Sequence, residues 1–132
     1  MALVWIALSH GKSADYRGAV ADGVHRALLE TYRIGGDSLI QIFASGEAVA
    51  LRHDSQAVST ERSANLVLVQ VTAEDTRGAA QKHAFYRRLV ELLAAAPGIR
   101  PDDIVVNLVD APKENWFHGV SAGPSIGRRR RP

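Results

Sequence analysis

Sliding the sequence against itself by 65 residues lays one half of the chain on the other, and this repeat restricts the fold more than any single motif. At that offset Val4 falls on Val69, Ile6 on Val71, Lys12 on Arg77, Leu28 on Leu93, Ile34 on Ile99 and Asp37 on Asp102, with Leu39 and Ile40 on Ile104 and Val105. Each half reads strand, helix, strand. In the first, the apolar run 2–8 stops at Ser9-His10-Gly11. Ser13 then caps a helix whose Val20, Val24, Ala27, Leu28 and Thr31 follow three-four spacing. Gly35-Gly36 is expected to end that helix, and 39–44 is the next strand. In the second half a strand is expected over 66–71 and a helix over 79–96, with Phe85, Leu89, Leu92, Leu93 and Ala96 on one stripe. Pro97-Gly98 closes the helix, and the last long strand covers 104–109.

The strands are apolar runs such as Leu-Val-Leu-Val-Gln-Val, a pattern expected of strands buried on both faces. Two crossover helices, each joining parallel strands by the right-handed route, cover one face of a four-stranded sheet. The polar segment 46–60 and the Gly-, Pro-, Ser- and Arg-rich end of the chain supply no second apolar layer. A symmetric oligomer that packs the uncovered sheet faces together is therefore expected, because a wide apolar face is not stable on a soluble monomer. The fold class is α+β: a tandem β-α-β repeat forming a four-stranded mixed sheet with two helices on one face, oligomerising through the other.

Composition narrows the function. A chain of 132 residues supports one domain, expected over 1–119 with pseudo-repeats at about 2–45 and 66–110, followed by a flexible Arg-rich tail over 120–132. Cysteine is absent, which excludes thiol nucleophiles, dithiol redox chemistry and thiolate metal sites. The formal net charge of +2 rests on Arg128 to Arg131, so the body is near neutral and nucleic acid is not an expected partner. No apolar run approaches the roughly 20 residues needed to span a bilayer. The apolar start has no basic residue before it, so a cytoplasmic protein without a signal peptide is expected. Gly11-Lys12-Ser13 lacks the earlier glycine of a phosphate-binding loop, whose place is held by Ile6. The five histidines, at 10, 25, 53, 83 and 118, show no metal-ligand spacing; neither a metal nor a cofactor is expected.

A duplicated strand-helix-strand unit whose sheet demands subunits resembles the tautomerase superfamily, and in particular its malonate semialdehyde decarboxylase-like and cis-3-chloroacrylic acid dehalogenase-like groups. The residues that carry the resemblance are Gly11-Lys12-Ser13, Ala27-Leu28, Gln41, Arg62-Ser63, Gln81-Lys82 with Phe85-Tyr86, the turn Gly98-Ile99-Arg100-Pro101-Asp102-Asp103, and Glu114-Asn115-Trp116. It spans about residues 2–119. It implies a homotrimer and chemistry on small carbonyl or 2-oxo acids, carried by an N-terminal proline exposed on removal of the initiator methionine. This sequence has Ala2 in place of that proline.

An Ala2 freed of Met1 would present a primary amine, which titrates near pKa 7.7 to 8.0 when unperturbed and so is partly neutral at physiological pH. Such an amine can take a proton alpha to a carbonyl or form an imine. A retained methionine would displace it by about 3.8 Å. The resemblance places Arg77 as an anion clamp at the pocket mouth, where a guanidinium binds a carboxylate through two parallel hydrogen bonds. Arg77 also fits a solvated place in the first turn of a helix. The family's second arginine is replaced by Glu74-Asp75. His25 matches a first-helix histidine of longer members, as a substrate contact or a structural helix-edge residue. Ser38, after Asp37, stands where decarboxylase-like members carry an aspartate, which makes decarboxylase or dehalogenase activity less expected. Trp116 and Phe117 suit a pocket wall or subunit contact, and His118 an acid or base with no partner readable from sequence. The expected function is a weak isomerase, tautomerase or lyase acting on small 2-oxo acids or related carbonyl acids. The alternative is a non-catalytic homo-oligomer of the same fold that binds a small ligand or a partner.

Overall fold

In the computed structural model the residues described are 1–9, 11–44 and 62–119; the arginine tail and the polar segment 46–60 lie outside them. The two halves fold as two β-α-β units. Strand β1 is Ala2–Leu8, helix α1 is Ala14–Tyr32 and strand β2 is Leu39–Ala44. The second unit follows as β3 (Val67–Glu74), α2 (Ala79–Ala95) and β4 (Ile104–Ala111). The sheet order is β2-β1-β3-β4. Within each unit the strands run parallel, and the units meet through the antiparallel β1–β3 pair, in which Ala2 faces Ala73 and Leu8 faces Val67.

Local sequence explains the ends of the elements. The Ser13 hydroxyl accepts from the Tyr16 amide at 3.1 Å and caps α1 as expected. The helix stops at Tyr32 rather than at the glycines, because Arg33 takes a left-handed conformation with φ 60° and its amide returns to the Leu28 carbonyl. A 3-10 turn over Gly36–Ser38 then feeds β2. Helix α2 ends as the Pro97-Gly98 pair predicts: Gly98 adopts φ 101° and its amide donates to the Leu93 carbonyl at 3.0 Å.

Both helices lie on one face of the sheet. Val4, Ile6, Val69, Val71, Val20, Val24, Leu28, Phe85, Leu89 and Leu93 form the buried layer between helices and strands. Each such side chain stabilises the fold by about 1.5–3 kcal/mol relative to an exposed one. Within the single chain the strands alternate, and the face turned from the helices is the one expected to be covered by other copies. Ala2, Val4, Ile6 and Leu8 point under the helices, and Leu3, Trp5 and Ala7 point away. The register groups the outward residues in rows across the sheet: Ile40, Leu3, Thr72 and Val109, then Ile42, Trp5, Gln70 and Asn107. Trp5, Ile40, Leu68 and Val109 are 37–50% exposed on this face. The runs look continuous in sequence because the outward positions are apolar as well. The helices and the described loops leave that face open.

Candidate active site

The starts of β1 and β2 and the ends of β3 and β4 share one end of the sheet. Ala2 sits there, fully buried, in register between Leu39 and Ala73, with Met1 half-buried ahead of it. Arg77 lies four residues beyond Ala73 in the β3–α2 loop, just before Gly78 caps α2. It is therefore neither a first-turn helix residue nor fully solvated. Its Nη2 donates to the Tyr32 carbonyl at 2.9 Å, and its guanidinium carbon stands 5.0 Å from the centre of the Tyr32 ring. The bond satisfies a carbonyl in the last turn of α1, so the helix terminus and the arginine fix each other.

Tyr32 also packs on Phe85, with ring centres 5.7 Å apart. Burial pushes its phenol up to about 12, the negative charge of Asp110 and neighbouring Tyr86 add to the rise, and Arg77 opposes it. Asp110, near the end of β4, bonds Lys82 of α2 at 2.7 Å. Arg77, Lys82 and the exposed Asp110 thus lie at this sheet end.

The remaining sequence candidates fall around the same end. Trp116 follows the short 3-10 turn after β4 and donates from Nε1 to the Ala111 carbonyl at 3.4 Å, with its ring 6.3 Å from that of His118. Phe117 is 68% exposed. His25 sits midway along α1 against the turn that leads into β2; a Cβ built at Gly36 would come within 3.5 Å of its ring. Its Nε2 is buried without a hydrogen-bond partner, a condition found at no other side-chain polar atom among the described residues. Ser38 ends that turn and Asp37 is exposed. Sequence reasoning placed Ala2 and Arg77 together but missed Tyr32 and the Lys82–Asp110 pair. The signal for Tyr32 was its four-residue spacing from Leu28, which continues the apolar stripe into an aromatic ring.

Among the described residues no group of three His, Asp or Glu side chains could hold a metal ion, and no helix is long and apolar enough to cross a membrane.

A duplicated β-α-β sheet, with an arginine in the loop at the sheet end where its first strand starts buried, defines a tautomerase-fold protein. The sequence model of the Tautomerase enzyme family (Tautomerase_2) matches residues 39–119, and the chain belongs to that family. It is similar to the probable tautomerase YusQ of Bacillus subtilis (strain 168), at 24% identity over 119 residues, covering 90% of this chain and 94% of the relative. Among solved structures it resembles a malonate semialdehyde decarboxylase inhibited by 3-bromopropiolate, with a TM-score of 0.80, 24% identity and 91% of each chain covered. It also resembles a fused 4-OT described as a wild-type symmetric trimer, with a TM-score of 0.71, 22% identity and coverage of 93% and 94%. The solved structures share the fold of this chain, in agreement with its place in the tautomerase family.

Proposed function

We propose that the protein is a homotrimeric tautomerase acting on small 2-oxo acids, with the Ala2 amine as base and Arg77 as carboxylate clamp. The observation that carries this reading is the placement of Ala2 and Arg77 at one end of the sheet in a chain of this family. Once Met1 is removed, a neutral Ala2 amine takes the proton of the enol hydroxyl and delivers it to the alpha carbon, the O–H bond breaking as the C=O forms and the C=C electron pair making the new C–H bond. A guanidinium has five N–H donors. The bond from Nη2 to Tyr32 leaves Arg77 donors for a substrate carboxylate, and the Tyr32 ring keeps the group in place. Tyr32 is a positioning residue in this scheme, since it is buried behind the arginine. His25, whose Nε2 lacks a partner, supplies a further substrate contact, and Phe117, Trp116 and His118 form the outer wall.

The open sheet face supports self-association, in which Leu3, Trp5, Ile40, Leu68 and Val109 would be covered by sister copies, and three copies are proposed by likeness to the fused 4-OT trimer. The reading treats 1–119 as a single domain, and its location as cytoplasmic, in keeping with a chain that has no cysteine. One observation favours a second reading, a non-catalytic oligomer that binds a carboxylate ligand: Met1, half-buried ahead of Ala2, would displace the amine if retained.

Intact mass and enol-to-keto conversion of phenylenolpyruvate, followed by ultraviolet absorbance, separate the two. The form without Met1 is expected to exceed the uncatalysed rate. Arg77→Gln should lower kcat/KM about 10- to 100-fold, as for the loss of a charge-assisted hydrogen bond worth about 1.5–3 kcal/mol. Ala2→Pro should raise activity by fixing the amine in a ring. A rate equal to background in the form without Met1 contradicts the catalytic reading and leaves the binding one.

A further inference from the structure

Lys82 and Asp110 bond to each other at the sheet end that holds Ala2 and Arg77, and the proposed reaction gives them no part. The register sets their place. Leu39, Ala2, Ala73 and Asp110 form one row across the four strands, on the face that lies under the helices. Two inter-strand steps of about 4.8 Å put the Asp110 backbone about 10 Å from that of Ala2. Ala73 sets no more than a methyl group between them in that row. Lys82 reaches Asp110 from the start of α2 at 2.7 Å, its side chain 25% exposed against 42% for the acid. Arg77, in the loop before the same helix, turns instead to the Tyr32 carbonyl. The Tyr32 phenol, raised first by burial, also feels Asp110 and, in the opposite sense, Arg77, so both charges act on one ring.

This pairing bears on which acids the site accepts. With the first carboxylate on Arg77, a second carboxylate carried toward this row would meet Lys82, whose ammonium Asp110 already holds. Two carboxylates would then share one cation, and like charges brought together select against a ligand. Glu74 and Asp75, between Ala73 and Arg77 in the chain, add negative charge to the same loop. An uncharged remainder instead suits Trp116 and the exposed Phe117, which follow β4 at this end. We propose that Asp110 is a specificity-determining residue which, by holding Lys82, restricts the site to acids with one carboxylate and an uncharged remainder and selects against diacids, a role that rests on Arg77 being the carboxylate clamp.

The test is an NMR titration of the full chain with crotonate and, separately, fumarate, which share a carbon skeleton and differ in whether the far end is a methyl group or a second carboxylate. The amides of Gly78 and Ala79, next to Arg77, report Kd without any turnover. The native protein should bind crotonate more tightly than fumarate, by about fivefold or more, or about 1 kcal/mol. Asp110→Asn releases Lys82 and should lower the fumarate-to-crotonate Kd ratio about tenfold, an effect of about 1.4 kcal/mol. Asp110→Ser provides the same comparison if the first variant does not fold. Adding Lys82→Gln to Asp110→Asn should return the ratio toward its native value. An ion pair that only ties α2 to β4 would, when broken, weaken both acids alike, and an unchanged ratio overturns the proposal. Native protein that binds fumarate as tightly as crotonate overturns it too. If crotonate binding is lost in Arg77→Gln while Asp110→Asn leaves the ratio unchanged, the clamp stands and the role of Asp110 alone falls. If the native protein binds neither acid, the clamp and the role of Asp110 fall together.

Discussion

Replacing Asp103 tests how the turn before β4 is held to the segment before β3. Its carboxylate takes three hydrogen bonds, two from Ser63 and one from Arg100, and is 1% exposed. Truncation to alanine strands the Ser63 amide and one face of Arg100. Breaking a buried charged pair costs about 3–5 kcal/mol. The Arg100 side chain is 48% exposed and can rehydrate, which places Asp103→Ala at the lower end, about 3 kcal/mol. Asp103→Asn keeps one acceptor oxygen but turns an NH2 group toward a donor, for a loss of about 2 kcal/mol. Urea unfolding at fixed protein concentration is the assay, with a fall in midpoint of about 1–2 M at unchanged m. The carboxyl adds a pH signature. Burial works to raise its pKa, but the Ser63 and Arg100 bonds outweigh this and hold it below the usual carboxylate range. A group with a lowered folded pKa contributes stability above its unfolded value, near pH 3.9, and that contribution is lost as pH falls through the folded value. The native chain should therefore lose stability below about pH 4 more steeply than Asp103→Asn. An unchanged midpoint in Asp103→Asn, or the same acid slope in both proteins, would refute the reasoning.

Tyr32, raised to about 12 by burial first and by Asp110 and Tyr86 next, contributes stability that is complete below pH 10 and lost as pH rises toward 12. Two pKa units correspond to about 2–3 kcal/mol, so Tyr32→Phe should lack that part of the alkaline loss in unfolding free energy; identical curves would contradict it. At Gly23, where α1 meets α2, an added Cβ would lie 2.9 Å from Leu93 Cδ2 and 3.8 Å from Leu92 Cβ. Leu93 is fully buried and cannot move aside, so Gly23→Val should destabilise by about 1–3 kcal/mol, read as a lower Tm, and a raised Tm would be inconsistent with this packing.

The strands and helices were legible because their apolar runs are bounded by local signals: Ser9-His10-Gly11 after β1, Ser13 at the start of α1 and Pro97-Gly98 at the end of α2. The end of α1 was not, because Arg33 supplies the left-handed turn without glycine. Strand alternation was hidden for a physical reason. Leu3, Trp5, Ile40 and Leu68 are apolar on the uncovered side, so sequence could not separate the two faces. At the candidate site, the family resemblance singled out Ala2 and Arg77, whereas the arginine's seat on Tyr32 depends on where α1 ends in space. The Lys82–Asp110 pair and the bond from Arg62 to Asp102 likewise join residues 28 or more positions apart.

The account depends on the open sheet face being buried by sister copies, which would gather the β1 starts into shared clefts. Sedimentation equilibrium at micromolar concentration measures this directly. The expected particle has three times the mass of the 14.3 kDa chain, and Trp5→Lys, which sets a charge in the middle of that face, should release single chains. A native protein that sediments as a single 14.3 kDa chain would contradict the account.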